Sequence, residues 1–273
     1  MVRKSFIIAA LIAVLLVMVG VVSAITWGVP DGNAHPHVGT LLFQRPDGFF
    51  SCSGTMMSST VMLTAGHCVE EAGEENIKTW VNFAPQISFE GIDDYPTTQA
   101  FLDANWLPVA DVQAHPQFND FAEFPNTYDV GVVILAHPYN PGVYGHLPSL
   151  GLLDGVLSSR NRRNNRFTVV GYGDQGLIPP FAQADYERYQ GEVRLIELNS
   201  NSNGDQQSAK FTNNPGRTSG GTCIGDSGGP VFYGNSTTVV AVVSWGITPC
   251  IGVDYQFRID TAVAQNFLRQ YIR

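Results

Sequence analysis

Short apolar runs broken by turn-forming residues follow one another along the chain after residue 24. Runs of this length, bounded by Gly, Pro, Asn and Asp, are typical of β-strands. The runs that predict strands are HVGTLLF (37–43), CSGTMMSSTVMLTAGHC (52–68), YDVGVVIL (128–135), RFTVVGYG (166–173), EVRLIEL (192–198) and TTVVAVVSWG (237–246). Many strands at short spacing predict an all-β fold of the barrel or sandwich type.

One helix is predicted at the C-terminal end, in DTAVAQNFLRQYI (260–272), where apolar residues recur at helical spacing. We interpret residues 85–120 as mixed loop and strand, and the polar stretch 199–221 as loop. The charge run EEAGEE (70–75) indicates a solvated loop. A calcium-binding loop is the alternative there, but the ligand spacing of an EF-hand is missing.

Composition narrows the class of protein. Of the 273 residues, 44% are hydrophobic and only 14% are charged, which is enough apolar material for a sizeable core. The 28 glycines and 16 prolines favour many turns over long helices. A formal net charge of −9 argues against nucleic acid or an anionic membrane as the main partner.

Residues 1–24 have the features of a secretory signal peptide. Two basic residues precede an apolar run from Phe6 to Val22, and small residues precede a cleavage point after Ala24. An uncleaved membrane anchor is the alternative, because the apolar run is long for a signal peptide. We expect cleavage, which would export residues 25–273 as one domain.

The chain has four cysteines, Cys52, Cys68, Cys223 and Cys250. In an exported protein an even number suggests two disulfides, and three pairings are possible. The sequence-local pairing closes two short loops and would stabilise the fold by about 3 kcal/mol per bridge. Zinc binding is the competing use, but no C-x-x-C spacing occurs.

The stretch TCIGDSGGP (222–230) sets Ser227 among glycines that allow a positive φ. It is either an ordinary tight turn or a strained loop that presents a nucleophile beside free N–H groups. His67 in LTAGHC could act as the base, and Asp129 in YDVGVVIL could orient it. A carboxylate at the head of a buried strand needs a partner such as an imidazole N–H. The order His, Asp, Ser is one of three known for such a triad.

Together, LTAGHC, YDVGVVIL, GDSGGP and VVSWG resemble the trypsin/chymotrypsin-like serine proteases, and the overall character is similar to their secreted bacterial members. The likeness covers most of residues 25–273 and is loose over 70–120. It implies two six-stranded antiparallel β-barrels with the active site between them and a C-terminal helix. It also implies a secreted serine endopeptidase that acts on proteins or peptides as a monomer, without a cofactor or a metal.

The resemblance gives each site residue a role. Ser227 would attack the scissile carbonyl, His67 would transfer the proton, and Asp129 would hold the imidazole. The N–H groups of Gly225 and Ser227 would form the oxyanion hole. The implied substrate pocket consists of Gly221, Thr222, Ile224, Ser244, Trp245 and Gly246, and the implied disulfides are Cys52–Cys68 and Cys223–Cys250. Ser244 would also bond the carboxylate of the triad.

Activation in this family uses a new α-amino group that pairs with a buried aspartate. Here Ile25 follows the predicted cleavage point directly, and Asp226 matches the aspartate. We therefore expect signal cleavage itself to create the activating amine. The chain starts ITWG at this point instead of the usual IVGG, which puts the fit of the N-terminal pocket in question.

Specificity is predicted from the pocket position where members that cut after Arg or Lys carry an aspartate. Gly221 stands there, so the resemblance implies an uncharged P1 residue. Two alternatives remain open. Asp254 could point inward and restore a basic preference. A glutamate preference suits Thr222 but not Val243, which stands where those members carry a histidine.

Two other classes of protein compete with the enzyme. An inactive homologue could use the fold as a binding module, since fold alone does not prove activity. A membrane-anchored structural protein would explain the long apolar run but none of the motifs.

Overall fold

The computed structural model describes residues 25–71, 74–159, 165–175, 186–198, 207–214 and 220–272. The proposed signal segment lies outside these residues. Across the described ranges, no helix is long and apolar enough to cross a membrane.

Sixteen strands and three α-helices are described. The strands in the first half of the fold are β1 (Val29–Pro30), β2 (Val38–Arg45), β3 (Gly48–Met56), β4 (Val61–Thr64), β5 (Glu70–Glu71), β6 (Glu74–Glu75), β7 (Lys78–Asn82), β8 (Leu107–Ala114) and β9 (Gly131–Leu135). Those in the second half are β10 (Phe167–Gly171), β11 (Tyr189–Val193), β12 (Leu195–Glu197), β13 (Ser208–Asn213), β14 (Pro230–Tyr233), β15 (Val239–Gly246) and β16 (Gly252–Arg258). The helices are α1 (Thr98–Asn105), α2 (Leu152–Ser158) and α3 (Ala262–Leu268), and two 3-10 turns span Gly66–Cys68 and Ile92–Asp94.

Six strands close into a barrel in the order β2-β3-β4-β9-β8-β7. Closure comes from β2, which pairs antiparallel with β3 on one side and with β7 on the other. Alternate side chains of these strands point inward. Leu41, Met56, Met62 and Val133 are fully buried in this core. The predicted six-stranded antiparallel barrel is confirmed for this half of the molecule.

The second half is a single antiparallel sheet of eight strands, in the order β1-β11-β10-β14-β15-β16-β13-β12. It curls around one apolar core, to which Tyr189 of β11, Phe167 of β10 and Phe211 of β13 all contribute. Here the structure differs from the expected second six-stranded barrel, because β1 and β12 extend opposite edges and no described pairing joins them.

The barrel and the sheet share a third core with the C-terminal helix. Val132 of the barrel, Phe232 and Phe257 of the sheet, and Phe267 of α3 pack in it. The Thr261 hydroxyl accepts the N–H of Ala264 and so caps α3, which confirms the predicted C-terminal helix. Because this core joins the barrel to the sheet, it fixes the position of one half relative to the other.

Two predicted loops contain regular structure. Strand β13 lies within the stretch 199–221. Ala209 and Phe211 of this strand are buried in the core, and the strand pairs with β16 along its length. Helix α1 lies within 85–120, where Thr97 caps its N-terminus and Phe101 is buried. In both β13 and α1, polar residues surround the buried apolar ones, so the sequence pattern did not predict either element. Helix α2 is a further element that the sequence pattern did not predict.

Two other segments differ in detail from their predictions. The run EVRLIEL is divided at Arg194 into β11 and β12. The charge run 70–75 forms the small antiparallel pair of β5 and β6.

Candidate active site

The barrel supplies an imidazole and a carboxylate at its rim. His67 lies in the 3-10 turn after β4, and a disulfide between Cys52 and Cys68 ties this turn to β3. Asp129 lies just before β9, which pairs with β4. The pairing brings the two side chains together, with His67 Nδ1 2.9 Å from Asp129 Oδ2 and 3.1 Å from Oδ1.

Asp129 is fully buried and well supplied with donors. Oδ1 accepts the main-chain N–H of His67 at 2.9 Å, and Oδ2 accepts the Ser244 hydroxyl at 2.6 Å. Burial opposes ionisation, but the charge and hydrogen bonds of His67 together with the Ser244 hydroxyl outweigh it, so the pKa of Asp129 lies below its ordinary value. The site therefore holds an ionised carboxylate.

The carboxylate acts in turn on the imidazole. Burial disfavours the imidazolium, but the charge and hydrogen bond of Asp129 favour it more strongly, and the pKa of His67 is raised. The imidazole side chain remains 22% exposed on the cleft side. It can thus receive a proton from a group in the cleft.

Ser227 comes from the opposite half, in the loop that precedes β14. Gly225 and Gly228 in this loop have φ values of +91° and +75°, which only glycine adopts without strain. The N–H groups of Gly225 and Ser227 donate to no acceptor among the described residues. Two amides are therefore available to a developing negative charge.

Main-chain hydrogen bonds hold the loop to β3 of the barrel and to β15 of the sheet. The N–H of Ser53 in β3 donates to Ser227 O at 2.8 Å, and the N–H of Gly228 donates to Val243 O at 2.8 Å. Ser227 is partly exposed, as is the His67 imidazole. No hydrogen bond joins the Ser227 hydroxyl to the His67 imidazole in this conformation.

A cavity of about 140 Å³ opens beside Ser227. The residues that line it are Thr222, Cys223, Ile224, Ser227, Val243, Ser244, Trp245, Gly246, Ile247, Thr248, Cys250 and Asp254. They include five of the six residues that the resemblance implies. The disulfide between Cys223 and Cys250 closes its wall, so both implied cysteine pairings are present.

Gly221 is the implied pocket residue that does not line the cavity. It is buried and forms an isolated β-bridge with Thr26, and a Cβ at this position would clash with Asn213 Oδ1. The Asn213 side chain thus fills the volume that a side chain at 221 would need. Sequence analysis missed Asn213, because it lay in a stretch interpreted as loop.

Asp254 lines the cavity, as the open alternative allowed. Its Oδ1 accepts Asn213 Nδ2 at 2.9 Å, and its Oδ2 accepts the N–H and the hydroxyl of Thr222 at 2.8 and 2.7 Å. Burial raises the pKa of Asp254 to about 6, against the opposing effect of these donors.

An aromatic wall flanks the imidazole. Phe121 lies 5.8 Å from the His67 ring, and Phe124 meets Trp245 edge-on at 5.0 Å. Trp245 in turn stacks on Tyr255 at 3.8 Å. Phe121 and Phe124 were not predicted, because the segment after β8 lacks a strand or helix pattern, whereas Trp245 is one of the pocket residues that the resemblance implies. An apolar wall beside the cleft suits apolar groups of an extended ligand.

Asp226 and Ile25, the expected activation pair, are both fully buried. The Asp226 oxygens accept the N–H groups of Gly173 and Cys223, each at 2.9 Å. Burial raises the pKa of Asp226 to about 8, since two amide donors do not offset the loss of water.

Comparison with known proteins shows the family of the chain. A family model described as Trypsin matches residues 27–268. The chain belongs to the trypsin family. It is 26% identical over 227 residues to a trypsin from Saccharopolyspora erythraea, covering 80% of this chain and 86% of that protein. It is 27% identical over 207 residues to trypsin iota of Drosophila melanogaster, covering 71% and 68%.

Solved structures agree on the fold. The HL collagenase structure aligns with a TM-score of 0.65 at 18% identity and covers 91% of this chain and 97% of that one. The protease Anisep from Arthrobacter nicotinovorans aligns with a TM-score of 0.60 at 17% identity and covers 86% and 94%. The trypsin-family chain therefore has the chymotrypsin-like fold, and by family it is a serine endopeptidase, a hydrolase.

Proposed function

We propose that this trypsin-family protein hydrolyses peptide bonds through a triad of His67, Asp129 and Ser227. The observation that carries the proposal is the pair formed by His67 and a fully buried Asp129, whose carboxylate also accepts the hydroxyl of Ser244, a residue that lines the cavity beside Ser227. Free N–H groups at Gly225 and Ser227 support the same reading. Attack on a carbonyl needs a base, its orienting acid and donors for the oxyanion.

The steps follow from these groups. As Ser227 Oγ bonds to the scissile carbonyl carbon, its proton passes to His67 Nε2, and the carbonyl oxygen becomes an oxyanion held by the two N–H groups. His67 then gives the proton to the leaving amine as the C–N bond breaks, which leaves an acyl-enzyme. A water molecule then attacks the acyl-enzyme carbonyl in place of the serine, His67 passes its proton to Ser227 Oγ, and the carboxylic acid product is released.

The proposed proton transfer requires a hydrogen bond between Ser227 Oγ and His67 Nε2, which is not formed in this conformation. Catalytic hydrogen bonds are often long without substrate and tighten in the complex. Rotation of the Ser227 hydroxyl about χ1, between staggered positions, requires no main-chain movement.

We also propose that cleavage after residue 24 activates the enzyme. A new α-amino group on Ile25 would give Asp226 the cation that its buried carboxyl lacks. Thr26 already bridges to Gly221 and donates its hydroxyl to Asn213 at 2.7 Å, which supports docking of this segment beside the pocket.

Location and assembly belong to the same proposal. The signal-like segment and two disulfides support secretion. A monomer acting on protein or peptide substrates suffices, because one chain supplies every proposed catalytic group.

For specificity, we propose a preference for uncharged P1 residues. Gly221 contributes no charge, and the three donors on Asp254 already occupy most of its acceptor positions. A P1 lysine would have to compete with those donors. Its acceptance depends on the charge of Asp254, because a cation buried beside a neutral acid is strongly disfavoured.

We expect kcat/KM for a P1-lysine substrate, relative to kcat/KM for a P1-phenylalanine substrate, to increase as pH rises. With a pKa of about 6 for Asp254, the ionised fraction grows about tenfold from pH 5 to pH 7, and the ratio of the two kcat/KM values should grow likewise. The protonation of His67 affects both substrates equally and cancels in the ratio. In Asp254→Asn the ratio should be flat. A flat ratio in the unchanged enzyme would contradict this role of Asp254.

A fluorophosphonate probe tests the catalytic proposal and distinguishes the enzyme from a binding module. We expect stoichiometric labelling of protein that begins at Ile25, and no labelling of Ser227→Ala or of chain that retains residues 1–24. N-terminal sequencing of the labelled fraction identifies the start. Unlabelled protein with a correct Ile25 start would support the binding module, whereas labelled protein with another start would overturn only the activation step.

A further inference from the structure

Ser53 makes contacts that the proposed mechanism does not use. It is fully buried in β3, directly after Cys52. Its hydroxyl donates to Gly225 O at 3.0 Å and accepts the N–H of Tyr172 at 3.0 Å. Its main-chain N–H donates to Ser227 O at 2.8 Å. One residue of the barrel therefore holds two carbonyls of the loop that carries the nucleophile.

The side-chain contact fixes one peptide plane. The carbonyl of Gly225 and the N–H of Asp226 belong to the same peptide group. Ser53 binds the carbonyl, and the N–H donates to Cys223 O at 3.1 Å. A planar group held at both ends cannot rotate. The Gly225 Cα, which joins this plane to the peptide plane of the Gly225 N–H, is thereby held on one side by the barrel and on the other by Cys223 of the loop.

The loop needs such support at this position. Gly225 has a φ of +91° and no Cβ, so its own sterics leave its conformation loosely restricted. Its N–H must nevertheless be aimed before charge develops, because an oxyanion hole stabilises the transition state only when its donors are preorganised.

The hydroxyl of Ser53 has a single orientation available. The Tyr172 N–H takes one of its lone pairs, which turns the hydroxyl proton to Gly225 O. The surroundings are tight, since a Cβ on Gly171 would lie 3.2 Å from Ser53 Oγ and one on Gly229 would lie 3.2 Å from Ser53 Cβ.

We propose that Ser53 is a positioning residue for the oxyanion hole, which aims the Gly225 N–H by holding the Gly225 carbonyl. The inference rests on the proposed function, because it assumes chemistry at Ser227. It adds a residue from the barrel to a site whose oxyanion donors come from the sheet.

The test is Ser53→Ala with kinetics and two inhibitors. We expect kcat to fall about 10- to 100-fold with KM within about threefold of the starting value, because one oxyanion donor is mispositioned and not lost. Affinity for a peptide boronate with P1 phenylalanine, whose tetrahedral adduct fills the oxyanion hole, should fall by the same factor as kcat/KM. Affinity for the same peptide with the scissile carbonyl reduced to methylene should not change, since it places no oxygen there.

Thr168→Val is the matched control. It also removes a hydroxyl that donates to a main-chain carbonyl, Gly234 O at 2.9 Å, but in β10, where it contacts no proposed site residue, and it should leave kcat and both affinities unchanged. If Ser53→Ala does not fold, Ser53→Cys, which keeps a weaker donor, is measured in the same way.

Parallel loss of both affinities, or unchanged boronate binding, would overturn the role of Ser53. The proposed function fails separately, if the unaltered enzyme forms no boronate adduct at all.

Discussion

His67→Ala is expected to lower kcat/KM about 10⁶-fold for a peptide anilide, and Ser227→Ala to lower it as much. Without the imidazole, no group in the cleft can take the serine proton, and without the hydroxyl there is nothing to deprotonate. The double variant should be no slower than either single one, because the two residues act in one proton transfer. Steady-state hydrolysis by protein processed to Ile25 provides the measurement.

His137→Ala serves as the control, since this imidazole is exposed outside the site and should leave the rate within about twofold. Intact disulfides and an unchanged circular dichroism spectrum show that the variants are folded. Additive losses in the double variant, or a loss below about 100-fold in either single one, would contradict a shared proton transfer.

The residues of the proposed triad could be singled out from the sequence because each lies in a short local motif. His67 follows the strand pattern MLTA, Asp129 heads an apolar run, and Ser227 lies among glycines. These signals need only a few neighbouring residues. Asp129 also had a physical requirement for a partner, and the structure supplies it in His67 and the Ser244 hydroxyl.

Residues whose roles depend on distant contacts could not be found in this way. Ser53 acts on Gly225, 172 positions away, and Asn213 reaches both Thr26 and Asp254. Nothing near either residue in the sequence indicates these partners. The pocket shows the consequence. Gly221 predicted an uncharged pocket floor, but the Asn213 side chain fills the space that a side chain at 221 would need. Asp254 of β16 contributes a carboxyl group to the cavity lining.

The fold, like the site, was predicted only where the signal is local in the sequence. Apolar runs predicted the strands that bury continuous faces, and the spacing in 260–272 predicted α3. Strand β13 was missed because four of its six residues are polar and its burial comes from pairing with β16. The eight-stranded order of the second sheet depends on edge pairings such as β1 with β11, which join residues more than a hundred positions apart.

Asp129→Asn is expected to lower kcat about 10⁴-fold at neutral pH while substrate binding persists. The main-chain N–H of His67 donates to Oδ1, so the amide oxygen of the asparagine would stay there and its NH₂ would take the place of Oδ2. That NH₂ would donate to His67 Nδ1 and so place the imidazole proton on Nε2. The nitrogen that must accept the serine proton would then already carry one.

Ser244→Ala separates this tautomer effect from a general disturbance of the carboxylate. It removes the 2.6 Å hydrogen bond to Oδ2 but leaves Asp129 ionised and Nδ1 protonated. Its loss in kcat should stay near tenfold, as for one hydrogen bond to a charged group. Full kcat and KM values over pH 5 to 9 provide the measurement. If Asp129→Asn were no slower than Ser244→Ala, the carboxylate would serve only as a hydrogen-bond acceptor, and His67 would not depend on it for the tautomer that accepts the serine proton.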